Sequence, residues 1–241
     1  MLILLAVGRR IGARRLAADP DGARTRLGAV EGALFGLLGL LIAFTFSGAA
    51  ARFDARRQLI VDEANCIGTA YRRVALLPEE AQEPMRKLFR EYLDSRLETY
   101  RRLPDLVAAN AEWQHTLQLQ DILWTNALAA CRAAPATPPL MLLLPSLNQT
   151  FDIANTRIVA ARRHPPATIY AMLAGLALAA ALLAGHGLAG AKVPSRVHAI
   201  GFAAIVALTA YVTLDLEFPR FGYIRIDASD QALIELRASM N

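Results

Sequence analysis

Asp, Glu, Lys and Arg are absent from three long stretches of this 241-residue chain, residues 32–51, 165–191 and 197–214. A helix rising about 1.5 Å per residue needs roughly 18 to 20 apolar residues to cross a hydrocarbon core of about 30 Å. Hydrocarbon offers no hydrogen-bond partners, so each run must satisfy its own backbone, which excludes loops and open sheet edges. The missing charge therefore predicts three spanning helices, within residues 29–51, 165–191 and 197–214. A short loop, 192–196, separates the last two.

Strand alternation is almost as scarce. Only Tyr223 to Ile226, after Pro219 and Gly222, has the makings of a short extended piece, so the fold class is all-α. Cysteine is limited to Cys66 and Cys131, each within an apolar helical stripe, which excludes a disulfide framework and reads as two small buried hydrophobes. The four histidines, His115, His164, His186 and His198, show no metal-ligand spacing. No nucleophile elbow, phosphate-cradling glycine loop or dinucleotide fingerprint occurs, so no catalytic residue, metal ligand or cofactor site is assigned and an enzyme is not expected.

What the chain does have is basic charge near its start. Arg9, Arg10, Arg14, Arg15, Arg24 and Arg26 outnumber Asp19 and Asp21, and they account for most of the net charge of +5. Residues 1–28 thus read as an apolar stub, 1–8, followed by an arginine-rich linker. The stub lacks the basic start and cleavage site of a signal peptide. It is either an interfacial segment or the end of an additional helix, which would make four spans in all. The linker's partner is anionic lipid, or else its arginines only set topology by the positive-inside bias.

Between the first two spans, residues 52–164 hold fifteen basic and thirteen acidic side chains, a balance that excludes a broad footprint for nucleic acid. Phe53, Ile60, Ala64, Ile67, Tyr71 and Val74 form a helical stripe up to Pro78, and nothing at Ala51 breaks it from the preceding span. A second helix is expected from Pro84 to Leu103, ended by Pro104. A third starts at Asp105 as N-cap and runs through Trp113, Trp124 and Cys131. After a linker at 133–139, Leu140 to Leu144 reads as a buried turn stopped by Pro145, and Leu147, Phe151, Ala154 and Ile158 resume a helix. The extramembrane helical domain is therefore inserted between spans, and a tail, 215–241, follows the last one. Glu31, Asp215 and Glu217 read as solvated markers of span ends, and small residues, Gly32, Gly36, Gly39 and Gly48 in the first span and Gly175, Ala179, Ala181, Gly185 and Ala189 in the second, permit close helix packing.

Residues 37–71, LLGLLIAFTFSGAAARFDARRQLIVDEANCIGTAY, resemble the bacterial bestrophin-like domain family of membrane proteins. Residues 78–97, Leu147 with Asn148, Asp152 and Arg157, and Asp215, Pro219, Arg220 and Gly222 also resemble that family's recurring positions. A more distant likeness to bestrophins, the pentameric anion channels, rests on Phe44 followed by Arg52-Phe-Asp-Ala-Arg-Arg57. That likeness implies a homo-oligomer, a pentamer, with Gly36, Leu40 and Phe44 lining a pore in a bacterial inner membrane. Arg52, Arg56 and Arg57 at its mouth would concentrate chloride or another anion, and the apolar neck would gate by dewetting. The residues alone leave an alternative open: a non-conducting, membrane-anchored helical module that binds a protein partner or senses the envelope.

Overall fold

A computed structural model describes residues 1–18, 28–134, 138–190 and 196–240. Arg24, Arg26, Lys192 and part of the 133–139 linker lie outside the described residues. The helices are α1 (Leu2–Ala18), α2 (Gly28–Arg73), α3 (Glu79–Arg101), α4 (Leu106–Ala133), α5 (Pro138–Arg162), α6 (Ala167–Gly187), α7 (Arg196–Glu217) and α8 (Gln231–Ala238). Short 3-10 turns occupy Val74–Leu76, Leu188–Gly190 and Asp227–Asp230. No strand occurs among the described residues, so Tyr223 to Ile226 is not the extended pairing piece expected. Among the described residues, three helical segments are long and apolar enough to cross a membrane, in α2, α6 and α7. The chain divides into two compact units, Met1–Ala51 with His164–Glu217, and Arg52–Arg163 with Phe218–Asn241.

In the first unit, Leu38 of α2, Leu173, Ala177 and Ala180 of α6 and Val206 of α7 form a buried cluster. Phe35 and Phe202 meet edge to face across it at 5.7 Å. Hydroxyls on the spans are hidden against their own helices, Thr45 donating to the Leu41 carbonyl and Thr209 to that of Ile205, each at 2.8 Å. Residues 9–18, expected as linker, are helical within α1, in keeping with the helix-favouring Arg, Ala and Leu that fill them. Glycine permits what holds α1 in place: a Cβ on Gly8 would stand 1.9 Å from the Leu182 carbonyl oxygen, and one on Gly185 2.1 Å from that of Leu5. The backbones of α1 and α6 are in direct contact there.

Two span ends differ from expectation. The second apolar helix stops at Gly187, and the third continues through Asp215 and Glu217, which are buried rather than solvated. Glu217 Oε1 lies 3.0 Å from His164 Nδ1, and that polar partner lets the helix keep a carboxylate in its last turn.

The second unit has one core. Ile60, Ile67, Ala70 and Val74 of α2, Phe89, Tyr92 and Leu93 of α3, Leu123 and Ala127 of α4, Leu143 and Leu147 of α5 and Leu233 and Met240 near the C-terminus are all fully buried. Asp105 caps α4, its Oδ1 accepting from the Val107 and Ala108 amides at 3.0 Å. α3 begins at Glu79, five residues before Pro84, which sits near enough the start to forfeit only one helical bond. Pro145 likewise does not stop α5, contrary to its expected role. Leu143 and Leu147 bury completely on either side of it, and that burial outweighs the one lost bond.

Gly185→Val puts side-chain atoms where the Leu5 carbonyl stands and should lower the Tm of the purified protein in detergent by about 5 °C or more. Gly175→Ala, where a Cβ meets nothing within 4 Å, should leave Tm nearly unchanged. Differential scanning fluorimetry of the two variants checks this.

Candidate functional site

The first half of α2 is largely exposed. Leu38 packs into the buried cluster of the span unit and Ala49 is buried, whereas Gly36, Leu40 and Phe44, one turn apart, are exposed. Phe44 is 68% exposed and Leu40 52%, and a Cβ on Gly36 would meet nothing within 4 Å. The three residues expected to line a pore therefore share an uncovered apolar face of the protomer. Chemically, that face can meet lipid, further protein or a dewetted pore.

The three basic residues that follow have different environments. Arg56 is buried; its Nε donates to the Ala160 carbonyl at 3.1 Å and its Nη2 to that of Arg163 at 2.9 Å, so it serves the carboxyl end of α5. Arg57 is exposed, 3.5 Å from Asp54 and over the Phe53 ring. Arg52 is half-buried.

Of the positions carrying the family resemblance, two come together in the second unit through a residue the sequence reading missed. Arg157 Nη2 donates to Asp230 Oδ1 at 2.9 Å, and Arg220 Nη2 donates to the same oxygen at 3.0 Å. The chain of charges continues in both directions. Arg157 Nη1 donates to Glu63 Oε2 at 2.6 Å, Arg96 Nε donates to Glu63 Oε1, and Arg220 Nη1 reaches Asp227 at 2.8 Å. The Tyr100 ring is the shared platform, with the guanidinium carbon of Arg157 3.8 Å, that of Arg220 4.9 Å and that of Arg96 5.4 Å from its centroid. Trp113 covers Arg96 from another side at 5.0 Å. Asn148 and Asp152 are exposed on α5 and stay out of this network, Pro219 is buried, Gly222 is half-buried, and Asp215 is buried in the last turn of α7.

These guanidiniums and carboxylates, with Arg225 also paired to Asp227, neutralise one another within the second unit. Burial pushes the Glu63 carboxyl up, but Arg96 and Arg157 outweigh it and hold the group below its ordinary 4.5. Burial works against the Arg220 charge as well, and Asp230 and Asp227 hold its pKa above the usual value. Of Glu63, Arg96, Tyr100 and Asp230, two left a signal in the sequence: Glu63 lies in the stripe of Ile60, Ala64 and Ile67, and Arg96 stands beside Leu97 on the buried face of α3.

These features define an all-helical membrane protein with a helical domain between its first and second spans. The family model for the Bestrophin-like domain matches residues 1–230, and the chain belongs to that family. A point-mutant form of a bacterial bestrophin homologue from Klebsiella pneumoniae superposes with a TM-score of 0.75 at 14% identity, covering 99% of this chain and 97% of that one. The homologue from the same organism solved by Zn-SAD phasing gives 0.74 at 13%, covering 99% and 96%. A crystal structure described as a membrane protein gives 0.76 at 14%, again covering 99% and 96%. Among curated proteins none matches the chain.

Removing one member of the buried network strands its partner. Glu63→Gln and Arg157→Ala should each cost about 3 to 5 kcal/mol, read as a lowered urea midpoint by intrinsic tryptophan fluorescence. Because the Glu63 pKa is lowered on folding, its stabilisation is present above about pH 4.5 and is lost as pH falls below that. Wild-type urea stability should therefore fall in acid more steeply than that of Glu63→Gln.

Proposed function

We propose that copies of this chain, five if the assembly follows the bestrophins, surround an axis in a bacterial inner membrane and pass anions between them. The first half of α2 lines the pathway. The observation that carries this reading is that Gly36, Leu40 and Phe44, one turn apart, lie exposed on the apolar half of α2, most of which the protomer leaves uncovered. Glycine lets neighbouring helices approach closely, and Leu40 and Phe44 supply a ring apolar enough to exclude water and so gate by dewetting. Below the ring the same helix carries Arg52 and Arg57, whose field would raise the local anion concentration, while Arg56 is held to the end of α5. Family membership and the shared fold support this reading. Chloride is the simplest anion to test, and the bilayer is the first partner, with anionic lipid at the arginines near the N-terminus.

The test is the mass of the detergent-purified protein together with chloride flux from liposomes. An oligomeric mass and measurable flux are expected, and Phe44→Ala should raise the flux several-fold by relieving the apolar constriction. A monomer with no flux would contradict the proposal and favour a non-conducting anchored module.

A further inference from the structure

We propose that the arginine-bearing end of α1 is a docking surface for anionic phospholipid headgroups, in the leaflet that holds the C-terminal end of α6. The inference rests on the membrane-spanning reading of α6, not on conduction.

The placement follows from the glycine contacts. Gly8 of α1 abuts Leu182, and Gly12, one turn later, abuts His186 and Ala189, so α1 and α6 run in the same direction where they touch. α6 ends at Gly187, level with Gly12. At about 1.5 Å per residue, Arg14 and Arg15 stand roughly 3 to 5 Å beyond that level, at the edge of the apolar layer. Arg9 and Arg10 lie about one turn deeper, within the reach of a snorkelling side chain.

All four arginines are exposed, and α1 carries no acidic residue to neutralise them. The same helix exposes Ile3 (79%), Val7 (37%) and Ile11 (48%). An apolar surface leading up to a cluster of guanidinium forks matches a molecule with acyl chains below and a phosphodiester above. A free phosphate would leave Ile3, Val7 and Ile11 without a partner, and a zwitterionic headgroup would bring its own cation against the arginines. Charge and apolar pattern together therefore select an anionic lipid.

The experiment uses the full chain in nanodiscs of phosphatidylcholine, or of phosphatidylcholine mixed with phosphatidylglycerol, with native mass spectrometry counting the lipids retained on the protein. Phosphatidylglycerol should be enriched several-fold over its share of the mixture, and the enrichment should decline with added salt. Loss of each arginine should lower it in turn, and the quadruple variant R9Q/R10Q/R14Q/R15Q should abolish it. Retention of both lipids in proportion to the mixture would overturn the proposal. So would undiminished enrichment in the quadruple variant, or displacement of the lipid by inorganic phosphate at equal ionic strength. If the variant does not fold, the lipid comparison and the salt titration on the wild-type protein still decide. A protein that retains phosphatidylglycerol but passes no chloride would refute the channel reading alone.

Discussion

Hydrocarbon cannot hydrogen-bond, and the architecture of the first unit follows from that. Segments that cross it must be helices, their hydroxyls must turn back on their own carbonyls, as those of Thr45 and Thr209 do, and close contacts must come from small residues. Apolar side chains gain nothing by leaving lipid for one another, so packing there depends on shape. The fit of Gly8 and Gly185 against opposing carbonyls is that kind of contact.

The second unit solves the opposite problem. Water rewards burial of its apolar stripes but penalises any charge buried with them, so Glu63, Arg96 and Arg157 are tolerable only as a mutually bonded set. The set has a topological consequence. Its members come from α2, α3, α5 and the segment after α7, so the C-terminal part of the chain is bound to the domain by charge as well as by Leu233 and Met240. α2 belongs to both units, presenting Leu40 and Phe44 in its first half and Glu63 in its second.

Features governed by local chemistry were legible from the amino-acid order. The spans could be read because 18 or more residues without charge suit a hydrocarbon core, and Asp105 could be read because a cap bonds only its own next turn. Their limits shifted where distant partners intervene: α7 keeps Glu217 because His164, far away in the chain, pairs with it. Pro145 read as a stop because its effect on the backbone is local, whereas the burial of Leu143 and Leu147 that carries the helix past it is tertiary. The network around Tyr100 stayed hidden for the same reason. A charged residue on a helix is assigned outward by default, and only the fold brings Arg157 to Glu63, 94 positions earlier.

The account stands or falls on what faces the exposed stripe of α2. Its most direct test is disulfide cross-linking of Phe44→Cys in native membranes, with Cys66 and Cys131 replaced by alanine. Oxidation should join neighbouring copies into a covalent dimer, while a cysteine at the buried position Leu38 should not cross-link. A chain that stays monomeric at both positions under the same oxidant would show that lipid, rather than further copies of the protein, covers that face.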